Sequence, residues 1–284
     1  MKNILAVLLL GFLVFSADAF AWEVETPSKV YEGIAFKIIL KGERANAYEW
    51  GAIFLGRAYK FFIEGEDAVA ILAVPLDTQA GKRSISIEKH MTETSYLSIL
   101  YWIDVESRTF LSQVVSFPVL SPAELKRHKA EQKRINEITS EYETNAPRLH
   151  GFDWPKQDGC IVTSSFGNKR LNSSKKVIGR HWGVDCKAAV GENVYAVGWG
   201  VVVFAQKTLL GGNTVIVDHG YGAFSIYMHL SEINVRAGST INQGHVIAKS
   251  GATGRASGPH LHLGIKVNSI DIDPIMFLKM GGAR

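Results

Sequence analysis

The chain has 284 residues, 46% of them hydrophobic, which is enough for two buried cores at roughly 100 to 150 residues per domain. Its 31 Lys and Arg stand against 27 Asp and Glu, a formal charge of +4 spread along the chain without a long basic block. That mild excess excludes the charge signature of a nucleic-acid-binding protein and suits an ordinary solvated surface or contact with anionic polymers.

Lys2, an apolar run from Ile4 to Phe15 and small residues around Ala19-Phe20-Ala21 read as an export signal over residues 1–21, cleaved after Ala21. The run is shorter than the roughly 20 residues a spanning helix needs, and an uncleaved anchor is the minor alternative. Later apolar stretches such as Trp199 to Ala205 are strand-sized. No stable membrane insertion is therefore expected after cleavage. Export places Cys160 and Cys186 where a disulfide persists, and a bridge between them is weighed slightly ahead of two unpaired buried thiols.

Over residues 22–120 apolar and polar residues alternate in short runs broken by turn signals, with candidate strands at 35–40, 52–55, 60–63, 68–74, 84–88 and 109–119. The spacing predicts an N-terminal β-sandwich. His90 stands alone there as a surface residue, and no catalytic cluster is present. At Ser121-Pro122-Ala123-Glu124 a capping serine, a proline at the first helical position and a glutamate three residues after the cap predict a helix start. One helix is expected over 122–142, within a charged linker spanning 121–144. Its sparse apolar seam of Leu125, Ile135 and Ile138 favours a solvated connector resting a thin stripe on one domain; a helix lying across a functional groove is the alternative.

Residues 145–284 are rich in glycine and β-branched residues, with candidate strands at 159–164, 194–197, 200–205, 214–219, 223–229, 245–250 and 261–267. No sustained helical period is visible, so an almost all-β domain is expected.

His260 and His262 project from one face of the last of these strands. His181 and Asp185, in His-x-x-x-Asp, are less simple, because four residues of regular strand span ~13 Å. A bend at Gly183, or an irregular lead-in to the strand, shortens that span and is favoured over a helical turn, because Trp182, Gly183 and Val184 are poor helix formers. Nitrogen and oxygen donors of this kind, with a fourth position left to water, point to one hydrolytic zinc ion, whereas a closed structural site would recruit Cys160 and Cys186. Tyr227-Met228-His229-Leu230-Ser231 ends a further strand with a histidine.

Five ordered blocks then carry a resemblance. Ser164-Ser165-Phe166-Gly167-x-x-Arg170, His181-Trp182-Gly183-Val184-Asp185, Tyr227-Met228-His229-Leu230-Ser231, Ser250-Gly251-Ala252-Thr253-Gly254 and Gly258-Pro259-His260-Leu261-His262 are similar to those of the lysostaphin-type, or LytM-like, zinc endopeptidases. The resemblance covers about residues 159–278. It implies a compact antiparallel β domain of barrel-sandwich hybrid type with a groove, and hydrolysis of peptide bonds in the cross-links or stem peptides of peptidoglycan. Carried over by motif, His181, Asp185 and His262 would be the zinc ligands, and His229 and His260 the catalytic histidines that do not bind the metal. Trp199 and Leu263 depart from the family's usual residues and touch groove shape rather than ligation.

Among the other candidates, His219 beside Asp218 reads as a hydrogen-bonded strand-end pair, while His128, His150 and His245 have no partner in a recognisable spacing. Strand alternation points the Cys186 sulfur away from the metal. Arg170 is either a contact for a stem-peptide carboxylate or a surface residue. Two rival functions accompany the peptidase: a non-catalytic relative that activates a cell-wall amidase, and a wall-binding module. The absence of any catalytic group in residues 22–146 suggests that this portion restricts access to the groove.

Overall fold

A computed structural model describes residues 23–91, 96–140 and 151–282. The expected export signal lies outside these residues, as does the end of the expected helix from residue 141. No helix among the described residues is long and apolar enough to cross a membrane. The chain is mostly β and groups into two compact units, Met1–Arg108 and Thr109–Arg284.

In the first unit a four-stranded sheet (Val24–Glu25, Ala35–Leu40, Asp67–Ala73, Phe62–Glu64) and a five-stranded sheet (Lys29–Tyr31, Tyr96–Glu106, Gly81–His90, Trp50–Phe54, Arg57–Lys60) bury a common set of side chains. Phe36 from one sheet meets Phe54 from the other edge to face, with ring centroids 5.5 Å apart. The expected strand at 35–40 forms with those bounds. The strand Tyr96–Glu106 was not among those expected. Its solvent face carries Tyr96, Leu100 and Trp102 while Ile103 and Val105 point into the core, so apolar residues on both faces blur the period of two that marks a strand.

The second unit is built on an eight-stranded sheet in which every pairing is antiparallel. The order runs Val162–Ser164, Val184–Lys187, His260–Val267, Ala223–Leu230, Gly212–Asp218, Gly200–Thr208, Thr240–Ile241, and Ile270–Ile272 also pairs with His260–Val267. The two central strands carry Phe224, Ile226, Tyr227, Leu261, Leu263 and Ile265 into the core. A short helix, Pro274–Met280, is the one helix of this otherwise β portion among the described residues from 151 onward. Its start was legible, because the Asp273 side chain accepts from the amides of Ile275 and Met276 and Pro274 occupies the first helical position.

Residues 109–140 belong to this second unit, not to the first domain and a free linker. Of the expected strand at 109–119 only Ser112–Val114 pairs, in parallel with Lys169–Leu171, which runs antiparallel to Val177–Arg180. The ring of Phe110 lies against Gly167 so closely that a Cβ there would come within 2.3 Å of it. The helix Pro122–Ile138 starts with the expected capping box, formed reciprocally by Ser121 and Glu124. It rests the expected thin stripe on the second unit while most of its side chains stay exposed: Ile135 is buried with Phe204, Ile216, Phe224 and Ile226, Glu131 accepts from the Leu209 amide at 2.8 Å, and Arg134 lies over the Phe204 ring.

Candidate metal centre and active site

The strand pairing brings the proposed ligands together. Asp185 stands directly opposite His262 in the pair formed by Val184–Lys187 and His260–Val267, and Cys186 stands opposite Leu261. Alternation then sends Asp185 and His262 to one face and the Cys186 sulfur to the other. His181 lies just ahead of this strand, and the backbone bends at Gly183 as expected. The bend has no room for a side chain: a Cβ on Gly183 would come within 2.4 Å of the Leu263 carbonyl oxygen and 2.5 Å of His262 Nε2. With that approach, His181 Nε2 lies 3.0 Å from Asp185 Oδ1 and 3.0 Å from His262 Nδ1, and the third edge, His262 Nδ1 to Asp185 Oδ1, is 2.9 Å.

Three donors of two types thus close a triangle, the group His181, Asp185 and His262 being able to hold a metal ion. Tetrahedral ligands about 2.0 to 2.2 Å from zinc stand roughly 3.3 Å apart, so these atoms need to part by only a few tenths of an ångström. The donor set fits one zinc ion. Burial by itself would raise the Asp185 carboxyl, yet its close polar contacts with His181 and His262 hold it well below the usual carboxylate range. Burial lowers His181 against the opposing pull of Asp185. An ionised carboxylate thus lies beside an imidazole, that of His181, which resists protonation, the state that metal binding requires of both.

Two further histidines face the triangle. His260 Nε2 is 3.5 Å from Asp185 Oδ1, and its Nδ1 donates to the Gly258 carbonyl at 2.8 Å. His229 Nδ1 donates to the Thr253 carbonyl at 2.9 Å, and its ring centroid is 4.8 Å from that of His260 and 6.0 Å from that of His262. His229 occupies left-handed backbone, φ +63°, where the pairing of Ala223–Leu230 with Gly212–Asp218 slips register. Such a bulge re-aims a side chain out of strand alternation, and a non-glycine residue held there marks stored strain of the kind that clusters at functional sites. Burial, with His262 adding to it, pushes His229 down to about 4.

Behind the ligands, the Ser165 carbonyl accepts from His181 Nδ1 at 3.0 Å with Ser164 Oγ at 3.2 Å, and Arg170 Nη2 reaches Asp185 Oδ2 at 3.4 Å. Arg170 is thus tied to a proposed ligand. Thr253, in the Ser-Gly-Ala-Thr-Gly motif, also has its hydroxyl on the Leu230 carbonyl at 2.7 Å. The loop can lie this close because Gly254, at φ +74°, leaves the Gly212 amide within 2.3 Å of where a Cβ would stand. Cys160 and Cys186 form a disulfide that ties the approach to the Val162–Ser164 strand to the strand bearing Asp185.

The five residues line one groove of about 1120 Å3, whose other bank is formed by Phe117 and by His128, Glu131 and Gln132 of the Pro122–Ile138 helix. That helix borders the groove through these residues and does not lie across it. His219 is buried away from the triangle, with Nδ1 on the Trp199 carbonyl at 2.5 Å and Nε2 on Ser225 Oγ at 2.8 Å, so its partners are these and not Asp218. Sequence reasoning singled out neither Gln113, which touches both Ser164 and Arg170, nor the bulge at His229. No local signal announces either, because each depends on which strands pair.

Residues 179–274 match the family model of Peptidase family M23. The peptidoglycan DD-endopeptidase ShyA of Vibrio cholerae is 40% identical over 109 residues, 38% of this chain and 25% of that protein. The glycyl-glycine endopeptidase ALE-1 of Staphylococcus capitis is 39% identical over 110 residues, 37% of this chain and 30% of that protein. The matched segment thus spans between a quarter and a third of these relatives. A solved structure of a candidate M23 peptidase from Pseudomonas aeruginosa superposes with a TM-score of 0.66 at 25% identity, covering 87% of this chain and 94% of that one.

Proposed function

Because its second unit carries a Peptidase family M23 domain, we propose that this chain is an exported zinc endopeptidase that hydrolyses peptide bonds in the cross-links or stem peptides of peptidoglycan. The observation that carries the reading is the triangle of His181 Nε2, Asp185 Oδ1 and His262 Nδ1, with two more imidazoles beside it and an open groove around them. In this reading the three residues are the metal ligands, and His229 and His260 are catalytic without binding the ion. The Cys160–Cys186 bridge supports an oxidising compartment, periplasm or cell wall. Retention of all three donors speaks against a non-catalytic activator.

Zinc held there lowers the pKa of a bound water to roughly 7 and polarises a substrate carbonyl. The chain's own residues do the rest. His229 and His260 each spend the Nδ1 hydrogen on a backbone carbonyl, which fixes the ring and leaves Nε2 as the exchanging atom. His229, kept neutral by burial, offers a lone pair there and takes the proton of the attacking water. The proton that His229 takes passes on to the amine that leaves, and His260 is the second imidazole placed beside the carbon that turns tetrahedral. Asp185 stays ionised throughout, so the electrostatics of the site do not collapse when a neighbouring imidazole gains a proton.

The test is mass analysis of fragments released from defined peptidoglycan. Zinc-dependent release with new peptide termini supports the proposal and identifies the bond. Binding to the wall without cleavage would favour a binding module, and stimulation of an added amidase without intrinsic hydrolysis would favour an activator.

A further inference from the structure

One side chain outside the family-matched residues touches the supports of two proposed ligands at once. Gln113 and Arg170 are register partners in the parallel pair of Ser112–Val114 with Lys169–Leu171. Gln113 Oε1 accepts from Arg170 Nη1 and also from Ser164 Oγ, the latter at 3.2 Å. A guanidinium can only donate, which identifies the Gln113 atom facing it as the oxygen.

Two consequences reach the metal site from that oxygen. The single hydrogen of the Ser164 hydroxyl is spent on Gln113, so Ser164 Oγ, 3.2 Å from His181 Nδ1, is left as an acceptor there, alongside the Ser165 carbonyl at 3.0 Å. The Ser165 carbonyl, which can only accept, puts the ring hydrogen of His181 on Nδ1; the Ser164 oxygen, held as a second acceptor by Gln113, reinforces that tautomer and leaves Nε2 facing the site. Meanwhile Arg170, steadied through Nη1, holds Asp185 Oδ2 through Nη2 at 3.4 Å, which turns Oδ1 toward the imidazoles. The segment bearing Gln113 is fastened on both sides of it. The Lys169 amide donates to the Leu111 carbonyl at 2.8 Å, the Val115 amide to Leu171 at 2.8 Å, and the Phe117 ring lies 4.4 Å beneath the Arg255 guanidinium.

We propose that Gln113 is a positioning residue for this site, its amide oxygen reinforcing the tautomer of His181 through Ser164 and setting the orientation of Asp185 through Arg170; this rests on the reading of His181, Asp185 and His262 as ligands. The experiment measures zinc affinity of the full mature chain by competition with a chelator, together with melting of the metal-free protein. Gln113→Met keeps length and loses the acceptor, whereas Gln113→Glu keeps an acceptor. Gln113→Met is expected to weaken zinc binding by roughly 10- to 100-fold, the usual effect of removing a partner behind a ligand, with melting of the metal-free protein unchanged. Gln113→Glu is expected to stay within about threefold of the parent on the same ground. Parent-like zinc affinity in Gln113→Met overturns the proposal, as does an equal loss in Gln113→Glu. So does a gain in hydrolysis at unchanged affinity, which would make the residue a plug. His181→Ala serves as the separate arm: if it binds zinc as the parent does, the ligand reading itself fails and takes this proposal with it, whereas loss of zinc in His181→Ala with parent-like binding in Gln113→Met removes the positioning role alone.

Discussion

Asp185 and His262 face each other across an antiparallel strand pair, and their side chains meet at 2.9 Å. Residues directly opposite in such a pair have Cβ atoms about 5 Å apart, so two short polar side chains on one face converge without any special loop. His181 is the part that depends on a loop, and the variants below separate ligation, catalysis and that loop.

His181→Ala is expected to lose both zinc and hydrolysis, whereas His229→Ala should retain zinc and lose turnover by roughly 10²- to 10⁴-fold, the usual contribution of a positioned acid or base. Metal content by atomic absorption, read beside the rate of fragment release, checks the pair. Normal turnover in either variant would overturn its assigned role.

Gly183→Ala places a methyl group 2.4 Å from a backbone oxygen and 2.5 Å from His262 Nε2. Neither group can yield freely, since one is main chain and the other belongs to the ring of a proposed ligand whose Nδ1 faces the site. A loss of about 1 to 3 kcal/mol in urea unfolding, together with weakened zinc binding, is expected. Parent-like zinc affinity would mean that the bend tolerates a side chain.

Burial lowers His219 from 6.5 to about 4, against the opposing pull of the Trp199 carbonyl that accepts from Nδ1. The folded state binds this proton less readily than the unfolded chain, so the stability tied to His219 is complete above pH 6.5 and is lost as pH falls toward 4. At ~1.4 kcal/mol per pH unit the loss approaches ~3 kcal/mol. Urea unfolding across that window should therefore be flatter for His219→Gln than for the parent, although the variant starts from lower stability at pH 7. Equal slopes would show that other groups carry the acid sensitivity.

The Cys160–Cys186 bridge closes a loop with a sequence separation of 26. Chain-entropy reasoning puts its contribution at ~3 to 4 kcal/mol. Reduction, or Cys160→Ser with Cys186→Ser, should lower the unfolding midpoint of the second unit and leave the first unit untouched, as followed by hydrogen exchange. An unchanged midpoint would mean that the oxidised and reduced forms share their stability.

Removal of residues 22–108 tests whether the first unit restricts the groove, because the remainder keeps Gln113 and the helix over Ile135 in place. Faster fragment release by the shortened chain supports restriction, and an unchanged rate removes it. Cutting at residue 145 is a poorer test: it uncovers Phe204, Ile216 and Ile226, which Ile135 shields.

What the sequence made legible was whatever local chemistry dictates. Ser121 and Glu124 announce their helix because a capping box is complete within four residues. His260 and His262 share a face because a strand alternates, and the Gly183 bend follows from a span too long to close otherwise. The misses are tertiary. Tyr96–Glu106 hid behind aromatic residues on its open face, and residues 109–119 looked like part of the first domain until Ser112–Val114 found its partner beyond residue 165. The bulge that turns His229 arises from mismatched lengths on two paired strands, which neither strand reveals alone.

The docking of the Pro122–Ile138 helix on the second unit bears on how related enzymes diversify. One side of the groove is encoded upstream of residues 179–274, the segment that matches the family model, so the lining of the metal-binding group and the width of the passage can change by separate mutations. Transplanting residues 109–140 between relatives would then carry over reach and selectivity while the metal chemistry stayed with its host.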